Sequence, residues 1–135
     1  MRIVVLGCGR LGSRLVNQLV KLGHQLVIVD QNEAKFKNLE EKQPVFKVTG
    51  NVFNEEILAK AFTEKADIFI PVTGKDNINI MIAQIVLKKF KVGRVLVRIF
   101  DPLLAEVYKG YGLETVCPTN FALDVMLKLV GNKSR

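Results

Sequence analysis

Apolar residues along the chain fall into two alternating rhythms. Dense runs of Val, Ile and Leu occupy Arg2–Leu6, Gln25–Val29, Val45–Val48, Ile68–Val72, Arg94–Arg98 and Glu114–Cys117. Most lack the strict apolar–polar alternation of a sheet with one wet face, so they read as strands covered on both sides, as in a parallel sheet. Amphipathic segments separate them. Leu11, Leu15 and Leu19, with Val16 and Val20, form an i, i+4 stripe that stops at Gly23, a residue type suited to the position just past a helix. The segment from Asn32 to Glu41 is charged and ends before Pro44, and a helix is predicted there. A further helix is predicted from Asn54 to Phe62, opened by an Asn cap and two glutamates in its first turn. The segment from Asp76 to Phe90 is long and apolar, with Asp at its start and lysines at its end, matching the helix dipole. Asp101 to Lys109 begins Asp-Pro, where proline is tolerated in a first turn, and a last helix is predicted from Thr119 to about Val130.

Strand and helix alternate six times, the pattern of a Rossmann-like α/β fold: a doubly wound, parallel six-stranded sheet with right-handed crossovers. With 135 residues and no internal linker, repeat or low-complexity stretch, a single domain is expected over residues 1–130, followed by a loose tail at 131–135.

Composition narrows the class only modestly. Apolar residues make up 49% and charged residues 24%, ordinary for a soluble globular protein. The longest uncharged apolar run, Asn77 to Leu87, is about half of the roughly 20 residues that span a bilayer. The N-terminus lacks a signal-peptide pattern, and two cysteines, Cys8 and Cys117, make no disulfide framework, so a reducing cytoplasm is expected. The net charge of +7 suits an anionic partner, although solvated surface lysines account for it equally well.

The candidate chemistry lies in GCGRLG, residues Gly7 to Gly12. It follows a strand and opens a helix, the context that G-x-G-x-x-G demands. Gly7 allows the tight turn, Gly9 lets backbone approach a phosphate, and Gly12 lets the helix pack closely on the sheet. N–H groups at the helix start then face the anion. Asp30 ends the second strand, 18 residues after Gly12, where its carboxylate accepts from ribose hydroxyls and disfavours a 2′-phosphate; alternatively it caps the segment that follows. Arg10 lies inside the turn, where a solvated arginine is unfavourable at the positive end of a helix dipole and a neighbouring phosphate would favour it. Cys8 reads as a small residue that fits the turn, and the one histidine, His24, falls at the end of the sheet opposite a ligand crevice. No nucleophile elbow, P-loop lysine or Cys/His metal cluster is present, so the nucleotide is expected to be sensed and not consumed, with no catalytic residue and no metal site.

Taken in order, GCGRLG, VIVDQNEAK, VTGNVFNEEIL, IFIPVTGKDNINI, VLVRIFDP and GLETVCPTNFA resemble the RCK, or KTN (TrkA-N), domain, the cytoplasmic nucleotide-binding domain of potassium channels and Trk/Ktr-type potassium uptake systems. The resemblance covers essentially the whole chain. It implies that Gly7, Gly9, Arg10, Leu11 and Gly12 hold phosphates, that Asp30 holds the ribose, and that Gln31, Asn51 and Val52 lie along the adenine. It further implies a crevice wall at Val72, Thr73, Gly74 and Lys75, and a phosphate-reaching Arg98. Asn51 stands where the family commonly has an acid, and VYKGYG around Lys109 lacks a glutamate that helps some relatives hold a divalent ion. NAD(H), AMP, ADP and ATP all stay open as ligands.

In the family the last helix packs on a second subunit. The apolar residues Phe121, Leu123, Met126, Leu127 and Val130 suit either that role or a core helix. The resemblance implies a homodimer or ring at the inner face of the cell membrane, partnered by an integral-membrane potassium transporter or channel. The family often adds a C-terminal ligand-binding domain, so the chain reads as a short form or an excised domain. The rival reading is a small NAD-dependent oxidoreductase or the cofactor domain of a dehydrogenase. Nucleic-acid binding fares worst, since neither a helix-turn-helix nor an aromatic stacking platform accompanies the charge.

Overall fold

A computed structural model describes residues 1–132; the rest of the expected tail, 133–135, lies outside the described residues. The six strands are β1 (Arg2–Leu6), β2 (Gln25–Asp30), β3 (Val45–Thr49), β4 (Ile68–Pro71), β5 (Arg94–Arg98) and β6 (Glu114–Val116). All neighbours pair in parallel, in the order β3-β2-β1-β4-β5-β6. Five α-helices connect and follow them: α1 (Arg10–Lys21), α2 (Glu55–Lys60), α3 (Asp76–Lys88), α4 (Pro102–Gly110) and α5 (Pro118–Gly131). Every strand lies within one residue of its predicted bounds.

The lack of alternation in the strands has a direct cause. Ile3 and Val5 of β1 join Val16 of α1 in one buried cluster, while Val4 and Leu6 join Ile80 and Ile82 of α3 in another. The central strands are thus apolar on both faces because helices cover both faces, whereas the edge strands β3 and β6 stay largely exposed.

The predicted helix at 32–41 is not α-helical. Only a 3-10 segment forms, at Glu33–Asn38, capped by the Asn32 side chain accepting from the Ala34 N–H. Phe36 within it and Leu39 at its C-cap are buried, three residues apart and so stacked one above the other in a 3-10 turn. No helix among the described residues is long and apolar enough to cross a membrane. The last helix shows a plain departure from a core role: not one residue of α5 is buried.

Candidate functional site

The direction of winding reverses between β1 and β4, and a crevice of about 520 Å3 opens there, beyond the carboxyl ends of the strands. This is where doubly wound sheets take ligands. The glycine turn forms its floor. Gly7 has φ +106°, a left-handed conformation that side chains disfavour, and its N–H donates to the Val29 carbonyl at 2.8 Å. Gly12 sits so close to the turn that a β-carbon there would stand 1.8 Å from the Gly7 oxygen. Gly9 caps α1 and lines the crevice, and no protein atom would lie within 4 Å of a β-carbon on it. The space over Gly9 is therefore open cradle that any side chain would fill. No side chain caps α1, which leaves the N–H groups of its first turn for water or an anion.

Asp30 is buried beneath the turn. One carboxylate oxygen accepts from the Cys8 N–H and the other from the Asn32 N–H, both at 2.8 Å. Asp30 braces the turn and the backbone just ahead of the 3-10 segment, whose cap is Asn32, and it also lines the crevice. Since a carboxylate offers about four acceptor positions, two remain for hydroxyl donors. Cys8 is fully buried beside it, its thiol donating to the Lys35 carbonyl at 3.4 Å. Burial, reinforced by the Asp30 charge, pushes that thiol up to about 11, so Cys8 is neutral packing and not a nucleophile.

The opposite wall is organised by Asn79. Its side chain is fully buried and spends every polar group: Oδ1 accepts from the Thr73 N–H at 2.9 Å and the Thr73 hydroxyl at 2.7 Å. Nδ2 donates to the carbonyls of Thr73 and Arg98, each at 3.0 Å. Arg98 returns the tie, its Nη2 donating to the carbonyls of Val72 at 2.6 Å and Thr73 at 2.8 Å while its guanidinium lies 4.6 Å from the Phe100 ring centre. Its Nε is buried without a hydrogen-bond partner among the described residues. Burial lowers the guanidinium from its ordinary value and Asp76 offsets part of that, yet an arginine stays charged. With Lys35 and Lys75 also lining the crevice against the single acid Asp30, its field favours an anion.

Of the residues singled out in the sequence, Gly7, Gly9, Asp30, Gln31, Asn51, Val52, Val72, Thr73, Gly74, Lys75 and Arg98 line this one crevice. Arg10, Leu11 and Gly12 do not. Gly12 is packed against the turn, Leu11 is exposed, and Arg10 borders a separate groove beside α1 with Arg14, Asn38 and Glu40. Sequence reasoning missed Lys35, Phe53, Ile78 and the buried Asn79. Among the described residues, no group of three His, Cys, Asp or Glu side chains stands close enough to hold a metal ion.

With this geometry in hand, the relatives are informative. The sequence model of the TrkA-N domain matches residues 3–118. The Trk system potassium uptake protein TrkA of Streptomyces coelicolor is 38% identical over 128 residues, which make up 95% of this chain and 57% of that protein. The chain thus spans a little over half of that relative. Among solved structures, the TrkA-N domain of the inner membrane protein ybaL from Escherichia coli matches with a TM-score of 0.84 at 24% identity, over 95% of both chains. The Kef CTD of Shewanella denitrificans, in an AMP-bound form, matches with a TM-score of 0.80 at 19% identity, covering 98% of this chain and 84% of that one. These two likenesses are of fold.

Proposed function

This chain belongs to the TrkA-N domain family, and on that premise we propose that it is a regulatory module that senses an adenine nucleotide and passes its state to a membrane potassium transporter or channel. The observation that carries the reading is the open cradle over Gly9 at the sheet's switch point, with Asp30 on one side and Arg98 on the other. Gly7, Gly9 and the first-turn N–H groups of α1 hold phosphate, joined by Arg10 and Leu11 from the edge of the turn. Gly12 keeps the helix close enough for this. Asp30 accepts from the ribose, and Gln31, Asn51 and Val52 flank the base. Val72, Thr73, Gly74 and Lys75 form the facing wall, with Arg98 supplying positive charge behind it.

In this reading the nucleotide, whether NAD(H), AMP, ADP or ATP, is a ligand and not a reagent, and the chain is not an enzyme. The lack of any buried residue on α5 supports a homodimer or ring formed through that helix, and the name of the Streptomyces coelicolor relative supports a potassium-transport partner, which this reading sets at the cytoplasmic face of the membrane. Ligand-dependent contacts that differ between two states of the crevice shift the assembly, which is how sensing becomes gating.

A thermal-shift panel of ATP, ADP, AMP, NAD, NADH and NADP tests the site. A ligand at 100 times its dissociation constant raises apparent stability by about 2.7 kcal/mol. At least one non-2′-phosphorylated ligand is expected to stabilise the protein, and Asp30→Ala to diminish the shift. Silence from all six would sink the sensing role.

A further inference from the structure

A second cavity lies at the other end of the sheet, about 390 Å3 in volume, between the amino ends of β1–β3 and the segment after α2. Its origin is a shortage of helix. Val4, Val27 and Phe46 stand side by side in register on one face of β1, β2 and β3. The helix that follows β3, α2, has only six residues, too few to cover that face to its lower edge. Phe46 is left half exposed, and Phe62, also half exposed, leans over it with ring centres 5.6 Å apart.

Phe62 holds this pose against its own backbone preference. Its φ of 56° and ψ of 34° place a bulky residue in the left-handed region, which side chains without a short polar group seldom adopt. The neighbouring Thr63 enforces it: fully buried, it donates its hydroxyl to the Leu58 carbonyl at 2.6 Å and anchors the turn. A strained aromatic kept at the mouth of an apolar cavity is an arrangement that ligand clamps use.

The rim is basic. Arg2 and Lys65 line it together with His24, and no acidic side chain does. Neither Arg2 nor Lys65 forms an ion pair among the described residues. Asp67 accepts from the Arg2 backbone N–H, and the Arg2 guanidinium donates through Nε to the neutral Gln25 side chain at 3.4 Å. An apolar floor with a cationic mouth complements one kind of small molecule, and its volume falls in the range of small-ligand sites, about 300–1,000 Å3.

We propose that this cavity binds an amphipathic carboxylate, a hydrocarbon body with one anionic end, whose apolar part lies against Val4, Val27, Phe46 and Phe62 and whose carboxylate is held by Arg2 and Lys65. The site is separate from the switch-point crevice and stands or falls independently of nucleotide sensing.

The test is an amide-resolved NMR titration of the full chain with decanoate below its micelle concentration. Decanol and decyltrimethylammonium serve as neutral and cationic controls. Decanoate is expected to shift the amides of Phe46, Phe62 and Lys65 saturably, while those of Gly7, Gly9 and Thr73 stay put. Both controls are expected to bind about tenfold more weakly or worse. Phe62→Asn removes the aromatic wall while keeping a residue that tolerates the left-handed conformation, so it should retain the wild-type melting temperature and lose about tenfold in decanoate affinity. Lys65→Glu, at an exposed position, should weaken decanoate and leave decanol unchanged. Equal binding of all three ligands, unaltered affinity in Phe62→Asn, or shifts confined to the glycine turn would each overturn the proposal.

Discussion

Helices α3 and α5 look alike as sequence and differ completely as structure. They have 13 and 14 residues, and in each at least half are Ile, Leu, Val, Met or Phe, with a single lysine in the last turn. Yet Asn79, Ile80, Ile82, Ala83 and Val86 of α3 are buried, and nothing on α5 is. The cause is topological. The chain enters α3 from β4 and leaves into its neighbour β5, so the crossover must lay the helix across the sheet. By contrast α5 follows β6, the edge strand, and among the described residues no later strand pairs with the sheet. Phe121, Leu127, Leu129 and Val130 each remain more than 60% exposed, an apolar surface that the proposed function assigns to another copy of the chain. An apolar helical stripe states that a face will be covered; connectivity decides by what.

The widest separation of the two helices is expected in folding stability. Ile82→Ala removes a fully buried side chain between α3 and the sheet and should cost about 2–5 kcal/mol in urea denaturation. Leu127→Ala on α5 should cost no more than about 0.5 kcal/mol when the protein is dilute enough to be monomeric. Leu127→Glu sharpens the point: it should abolish self-association by analytical ultracentrifugation while leaving the nucleotide-induced thermal shift intact. Similar folding penalties at positions 82 and 127 would erase the distinction drawn between the helices.

Polar residues on the two helices should separate less widely. Asn79→Leu leaves the Thr73 N–H without its side-chain acceptor, removes the Asn79 donor from the Arg98 carbonyl, and reduces the Thr73 carbonyl to its bond from Arg98, for a loss of about 1–3 kcal/mol. Because those groups form the crevice wall, nucleotide affinity should fall with it. Asn79→Asp keeps the acceptor but sets a second carboxylate oxygen against the Thr73 and Arg98 carbonyls in a fully buried site, so it should recover little of either. Thr119→Val on α5 removes a single exposed hydrogen bond, from its hydroxyl to the Phe100 carbonyl, so a loss below about 1 kcal/mol and no change in nucleotide affinity are expected. Calorimetric titration with AMP distinguishes them, and an Asn79→Leu protein that binds AMP at wild-type strength would remove Asn79 from the site.

The contrast also explains how far the sequence could be read. Dense Val and Ile runs locate parallel strands because burial on both faces leaves no alternation to misplace. Gly7, Gly9 and Asp30 are legible as neighbours because a tight strand-to-helix turn followed by an acid at the end of the next strand shows in residue type and spacing, and all three line one crevice. Lys35 was not, since it reaches the crevice only because Glu33–Asn38 curls as a 3-10 segment back toward Cys8, a tertiary outcome. Asn79 hid inside an apolar run, although one amide flanked by Ile78 and Ile80 was a signal that a buried helix face carried a polar task. The fate of α5 was undetermined, because its pattern fits a core and an interface equally.

The smallest expected effect concerns the two thiols, which follow the same divide. Cys8 lies in the buried cluster beneath α1, whereas Cys117 is half exposed just ahead of α5 and donates to the Phe100 carbonyl at 3.6 Å. The Cys8 thiol is pushed up to about 11 by burial and by Asp30. Its folded value is thus above that of an unfolded thiol, about 8.5, so the neutral group supports the fold below that pH. The support is lost as pH rises toward about 11. At pH 8 a disulfide reagent should label Cys117 within the native protein and reach Cys8 only at the rate of unfolding. Cys8→Ala should also flatten the alkaline loss of stability relative to wild type, whereas Cys117→Ala should leave that limb unchanged. Rapid native labelling of Cys8 would show that the turn opens far more readily than its burial and its bond to Lys35 imply.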